Sequence, residues 1–153
     1  MLRHYSYLLV EGPHDAAFGG RFLRLAGMSA IRSFSEIDFF WKPLVPRRFP
    51  PDDDLLKRVS VPFFFSGKFH SVAISTAKGD SRIAETLEET LAMTEWEVDE
   101  LEGLGIILDA DRQIPMQRFQ NLRNEVRRKL NYLMLPNAPG QVDIGTSPNY
   151  PKN

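Results

Sequence analysis

Two periodicities alternate along the chain. Tyr5 to Val10 is a run of Tyr, Leu and Val, the make-up of a buried strand. Gly12-Pro13 breaks it. From about His14 to Ala26, Phe18, Phe22 and Leu25 then recur at i, i+4 and i+7, one helical stripe with Gly27 as its stop. Gly19 and Gly20 each weaken that helix by about 1 kcal/mol relative to Ala, which fits either a close helix–sheet approach or simple tolerance of glycine. His70 to Thr76 reads as another strand, with Val72 and Ile74 on one face. Gly79-Asp80-Ser81 turns into a helix capped by Asp80 or Ser81, whose stripe is Ile83, Leu87 and Leu91. Leu104 to Leu108 is an uncharged strand. Pro115 opens a last helix, with Met116, Phe119, Leu122, Val126, Leu130 and Leu133 as its apolar side. The order strand–helix–insertion–strand–helix–strand–helix predicts an α/β fold, a parallel sheet flanked by helices with right-handed crossovers.

Two stretches break the alternation. The insertion, about residues 28–69, holds five of the 11 prolines and nine aromatic residues: Phe34, Phe39, Phe40, Trp41, Phe49, Phe63, Phe64, Phe65 and Phe69. Ile37 to Trp41 and Val59 to Phe65 read as short or edge strands, since Pro62 cannot donate to a central ladder. Asp52-Asp53-Asp54-Leu55-Leu56-Lys57-Arg58 reads as a helical turn or two, with acids at its positive end and bases at its negative end, so the aspartates are caps and not a metal cluster. The insertion is expected to fold onto the domain as a β-rich flap. Its aromatics suit a core or a protein interface better than a base-stacking platform, which needs aromatics interleaved with basic residues; Arg47-Arg48 are a small hint of those. The tail, about residues 136–153, is turn-rich, with a candidate strand at Gln141 to Ile144.

Length and composition narrow the classes. A chain of 153 residues suits one domain, 1–153, with a real core. There is no run long and apolar enough for a membrane span, and Met1-Leu2-Arg3-His4-Tyr5 has no signal-peptide pattern. Without cysteine, disulfides, thiolate zinc sites and cysteine nucleophiles are excluded. The expectation is a cytoplasmic protein without membrane partners. A net charge of −1 argues against a nucleic-acid binder working alone. The distribution is uneven, however. From Ile83 to Asp111 there are ten acids and no Lys or Arg; Arg112, Arg118, Arg123, Arg127, Arg128 and Lys129 then follow, against Glu125. Two solvated helix faces of opposite sign explain this; so does a basic helix, carrying Arg123, Arg127 and Arg128, that holds a phosphate backbone.

The chemistry sits where two apolar runs end in acids: Glu11 after Val10, and Asp109 and Asp111 after Leu108. If the two strands are parallel neighbours, these carboxylates gather at the carboxyl ends, where ligands of open α/β sheets bind. Residues i and i+2 at a strand tip point the same way, so Asp109 and Asp111 can share one cation. Carboxylates crowded together repel unless a hard cation holds them, and an oxygen-only donor set suits Mg²⁺ or Mn²⁺. Secondary candidates are Asp15, Lys78 and Arg112. Asp15 serves equally as a carboxylate at a helix N-terminus, and Lys78 is either a phosphate contact or a solvated lysine. His4, His14 and His70 are scattered and do not support zinc.

Leu8-Leu9-Val10-Glu11-Gly12-Pro13-His14-Asp15 followed by a helix resembles the first motif of the Toprim domain. Gly105-Ile106-Ile107-Leu108-Asp109-Ala110-Asp111 is similar to its second, the DxD, and Ala77-Lys78-Gly79-Asp80 suits the turn between them. The resemblance covers roughly residues 5–27 and 70–133 and is nearest to small Toprim-like proteins related to the overcoming-lysogenisation-defect nucleases, which often accompany ATPases. It implies a Rossmann-like Toprim core, with Glu11 as general acid–base or metal ligand and Asp109 and Asp111 coordinating Mg²⁺ for phosphodiester chemistry. Asp15 matches the acid that opens the family's first helix. Gln113 stands where many catalytic members have a third acid, which leaves a two-metal site in doubt. The family also continues with a further strand and helix, so a chain ending in loop-like sequence fits a fragment or a differently closed sheet.

The resulting expectation is a Mg²⁺-dependent, nuclease-like protein acting on DNA or RNA, helped by an ATPase partner or by homo-oligomerisation. A non-catalytic Toprim-derived binding or assembly module is the main alternative. A DxD phosphatase or phosphotransferase using Asp109 as nucleophile is a weaker one, since no later catalytic Lys and acidic pair follows Asp111.

Overall fold

The computed structural model describes residues 2–56, 60–77, 79–94, 96, 100–109 and 112–139. The chain divides into two compact units, Met1–Leu108 and Asp109–Asn153. The first is built on a five-stranded mixed sheet: β1 (His4–Val10), β2 (Ser29–Ile31), β3 (Phe63–Ser66), β4 (His70–Thr76) and β5 (Gly103–Ile107), in the order β2-β3-β4-β1-β5. The expected parallel sheet holds for β4, β1 and β5 only; β3 runs antiparallel to β4, and β2 antiparallel to β3. Parallel neighbours need a crossover, whereas the 67–69 turn between β3 and β4 is short enough to be a hairpin.

α1 (Pro13–Leu25) covers one face of this sheet. Gly12 is its extended N-cap, Pro13 takes the first helical position, and the Gly12 N–H donates to Asp15 Oδ2 at 3.1 Å. At the other end Gly27 adopts φ +84°, and the bonds Met28 N–H to Leu23 O and Gly27 N–H to Arg24 O close a Schellman motif. The buried side is not the predicted stripe. Ala16, Gly19 and Gly20 face the sheet, while Phe18, Phe22 and Leu25 are 67%, 61% and 81% exposed. The glycines decide this: a Cβ on Gly20 would stand 2.8 Å from Cζ of the buried Phe65, and one on Gly19 3.3 Å from Ile74 Cδ1. The helix can come close to the sheet only along that side. Val10, Ala16, Phe65 and Ile74 form the core there, joined by Leu8, Leu23, Met28, Ala30, Val72 and Ile107.

The insertion is not a flap laid on the domain: its ends supply β2 and β3 to the sheet itself, and its middle forms much of the opposite face. Ile37 to Trp41 is not a strand; a 3₁₀ turn at Phe34–Glu36 and another at Phe39–Leu44 take its place. The second lays Phe40 against Tyr5 (ring centroids 4.1 Å apart) and Trp96 (4.8 Å), and buries Trp41 against the sheet. Trp41 Nε1 donates to Ser71 Oγ at 2.8 Å, and Ser71 donates to Asp38 at 2.5 Å. Arg3 pairs with Asp38 at 3.2 Å. Burying an indole requires a partner for its N–H, and Ser71 on β4 supplies it. The expected strand from Val59 begins only at Phe63, and its Val59 lies outside the described residues. Nor is Asp52-Asp53-Asp54 the start of a helix. Asp52 and Asp53 sit at φ 53° and 59°, left-handed backbone that Asp tolerates, inside a 3₁₀ turn at Pro51–Asp53.

α2 (Ile83–Thr94) packs beside the Phe39–Leu44 turn, burying Ile83, Ala84, Leu87, Thr90 and Thr94. A 3₁₀ turn at Asp80–Arg82 leads into it. In the second unit, α3 (Pro115–Lys129) starts with Pro115 at its first position. Leu122, Val126 and Leu130 of the predicted stripe are buried, together with Arg118 four residues before Leu122, while Met116 is exposed. The candidate strand at Gln141 to Ile144 lies outside the described residues. Among the described residues no helix is long and apolar enough to cross a membrane.

Candidate functional site at the carboxyl edge of the sheet

β1 runs between two parallel neighbours, with Val10 in register with Thr76 of β4 and Ile107 of β5. The three strands therefore end level, and Glu11 is the first residue beyond the middle one. The edge is strapped by main-chain bonds: Ala77 N–H donates to Val10 O at 2.9 Å and Gly79 N–H to Glu11 O at 3.1 Å. Gly79 has φ +120°, which an L side chain rarely adopts, and this conformation turns the chain back toward β1. Lys78 lies between those two bonded residues but outside the described ones.

Glu11 is half-buried and has interactions of its own. Asp15, four residues on, accepts the Gly12 N–H, so it caps α1 and fixes the turn that carries Glu11. Leu108 ends the first unit, and Asp109, which is exposed, opens the second. Asp111 lies outside the described residues. Among the described residues no group of three or more His, Asp or Glu side chains is gathered closely enough to hold a metal ion. Arg112 is exposed; Arg123 is half-buried and donates to Asn137 Oδ1 at 2.8 Å; Arg127 and Arg128 are exposed in the last turn of α3, where their charge complements the helix dipole.

Two features carry little or no signal in the sequence. His4 and His70, in register on β1 and β4, stack with centroids 5.2 Å apart, and His4 Nδ1 lies 2.5 Å from Glu102 Oε2. This cluster marks the amino end of the sheet, away from Glu11. The other is an open groove of about 360 Å³ on the insertion, lined by Phe39, Lys42, Pro43, Val45, Pro46 and Arg47. Its one sequence signal is Phe39 and Lys42 at i and i+3, which a 3₁₀ turn eclipses.

The profile of a family of proteins of unknown function, DUF3226, matches residues 5–152. The chain belongs to the DUF3226 family. That span includes both acidic motifs and the insertion between them, so one family pattern unites them. No curated protein matches. Among solved structures, the crystal structure of hypothetical protein PH0156 from Pyrococcus horikoshii OT3 is similar at 17% identity with a TM-score of 0.53. The likeness covers 82% of this chain and 47% of that one, so this chain spans about half the length of that relative. At that identity the likeness concerns the fold, a mixed α/β sheet flanked by helices.

Proposed function

We propose that this DUF3226 member is a Toprim-like protein that acts on nucleic-acid phosphodiesters with Mg²⁺ or Mn²⁺. The observation that carries the reading is the parallel register of β1 with β5, Val10 beside Ile107, because each strand is followed directly by one of the acidic motifs. In this reading Glu11, Asp109 and Asp111 hold the ion. Their donor set is carboxylate oxygen throughout, the chemistry a hard divalent cation prefers. Once bound, the cation would supply neutralisation of the phosphate oxygens. Glu11 moves the proton at the attacking or leaving oxygen, fixed in place by the Asp15 cap behind it and by the Gly79 bond to its carbonyl. Lys78 and Arg112 are candidate phosphate contacts, and Arg123, Arg127 and Arg128 give a basic helix for the strand backbone. With a net charge of only −1, an ATPase partner or a second copy of the chain adds the remaining grip on DNA or RNA.

The test is cleavage of supercoiled plasmid and of single-stranded RNA and DNA with Mg²⁺ or Mn²⁺. Asp109→Ala and Glu11→Gln are expected to lower the rate by at least about 100-fold, the usual contribution of a positioned acid–base group. Equal cleavage by wild type and both variants contradicts the proposal. The second reading, a non-catalytic assembly module, is favoured by the exposed Phe22 and Leu25 and by Gln113 at the third-acid position. It predicts no cleavage at all and an oligomer that Phe22→Asp disperses in sedimentation.

A further inference from the structure

We propose that the groove on the insertion binds unpaired nucleotides, making single-stranded nucleic acid the substrate class; the inference rests on the phosphodiester reading above. Three observations point there together. The groove, about 360 Å³, falls in the range of small-ligand sites and is large enough for about one nucleotide. Its two charged lining residues, Lys42 and Arg47, are cationic, and no carboxylate lines it among the described residues, so an anion is the complement. Phe39 is 83% exposed on its wall. That exposure is not left over from poor packing, since the same 3₁₀ turn buries Trp41 and Leu44 completely or nearly so. The turn is anchored through Trp41 and Ser71, so Phe39 is presented from a fixed base.

The cation and the ring are also coupled. Lys42 Nζ lies 5.9 Å from the Phe39 ring centroid and 5.6 Å from that of Phe34. The ammonium is thus held beside the rings instead of sweeping through solvent. A base stacking on Phe39 brings its own phosphate toward Lys42 and Arg47, the combination of ring and cation that single-strand sites use. In a duplex the bases are already stacked on one another, and none is free to meet the ring. Pro43 and Pro46 stiffen the wall, so little order has to be gained on binding.

The experiment is fluorescence anisotropy of the full chain with a labelled single-stranded 12-mer, in EDTA so that no cleavage intervenes. Phe39→Ala is expected to weaken binding about 5- to 150-fold, the effect of losing one base–aromatic stack. Lys42→Gln with Arg47→Gln should reduce the dependence of log K on log salt by about 0.7, the share of the one phosphate that the pair no longer neutralises. Phe18→Ala, at an exposed ring on the opposite face, should bind as wild type does. Matching thermal melting curves show that each variant is folded. Equal affinity for duplex and single strand, equal weakening in Phe18→Ala, or competition by polyglutamate as strong as by unlabelled oligonucleotide would each overturn the proposal. The two readings separate cleanly: groove-dependent binding without metal-dependent cleavage sinks only the nuclease reading. Cleavage and single-strand binding that Phe39→Ala leaves unchanged sink only the groove.

Discussion

Gly20 and Tyr7 show how far single positions decide this molecule. Adding a methyl group at Gly20 gains about 1 kcal/mol of helix propensity but drives a Cβ to within 2.8 Å of a buried ring. Phe65 is hemmed in by the core and cannot swing aside, so overpacking of about 1–3 kcal/mol should prevail. Urea denaturation of Gly20→Ala is expected to show a net loss of stability, and Phe18→Ala a change within about 0.5 kcal/mol. Tyr7 is buried beneath α2, with its hydroxyl 3.2 Å from Thr90 Oγ1. Burial raises the phenol above its ordinary value of 10.0, partly opposed by hydrogen bonds with Ser75 and Thr90. Tyr5 is raised as well, first by burial and then by the charge of Asp38, with Arg3 opposing. A raised phenol means that above pH 10 the unfolded chain loses its proton before the folded one does. Its contribution is therefore complete below pH 10 and declines as pH rises through the folded value. Tyr7→Phe should cost about 0.5–1.5 kcal/mol at neutral pH by removing the Thr90 bond, yet lose less stability than wild type between neutral pH and pH 11 in chemical denaturation.

The elements differ in how plainly the sequence announces them. β1 and β4 were legible almost to the residue, because β1 ends in an apolar run at the Gly12-Pro13 breaker and β4 carries Val72, Ala73 and Ile74 between two glycine turns. The face of α1 was legible only through Gly19 and Gly20, whose close approach to the sheet the structure shows, and not through its apolar stripe. Hydrophobic periodicity registers Phe18, Phe22 and Leu25, whereas the packed side is Ala16, Gly19 and Gly20, whose role is to be small. The insertion misled for a different reason. Phe39-Phe40-Trp41 has strand composition, but Trp41 is placed by Ser71, 30 residues away, and Phe40 by Tyr5 and Trp96. No local window contains those partners. The Phe39–Leu44 turn is accordingly a structural element of the first unit. Trp41→Ala should cost about 3–5 kcal/mol, the range for deleting a large buried ring, and thermal melting would show it. A cost below about 1 kcal/mol would mean that the aromatic cluster is an appendage laid on the sheet, as a flap would be.

In the molecule as a whole, the functional case rests on topology more than on any close-packed cluster of ligands. Glu11 was legible as the first residue past a buried strand, and the level ends of β4, β1 and β5 agree with that. Asp15 was legible as a helix-opening acid and takes the capping alternative. The groove on the insertion could not be read from sequence, because it depends on a 3₁₀ turn that composition disguises as a strand. Membership of DUF3226 over residues 5–152 ties the acidic motifs and the insertion to one family pattern, so the proposed chemistry and its proposed grip on substrate should be tested on the same intact chain. The most direct measurement is isothermal titration of that chain with Mn²⁺. One ion is expected to bind, with clear weakening in Glu11→Gln and no binding in the double variant Asp109→Asn with Asp111→Asn. No heat of binding in wild type, or uptake that the double variant leaves intact, would contradict the account.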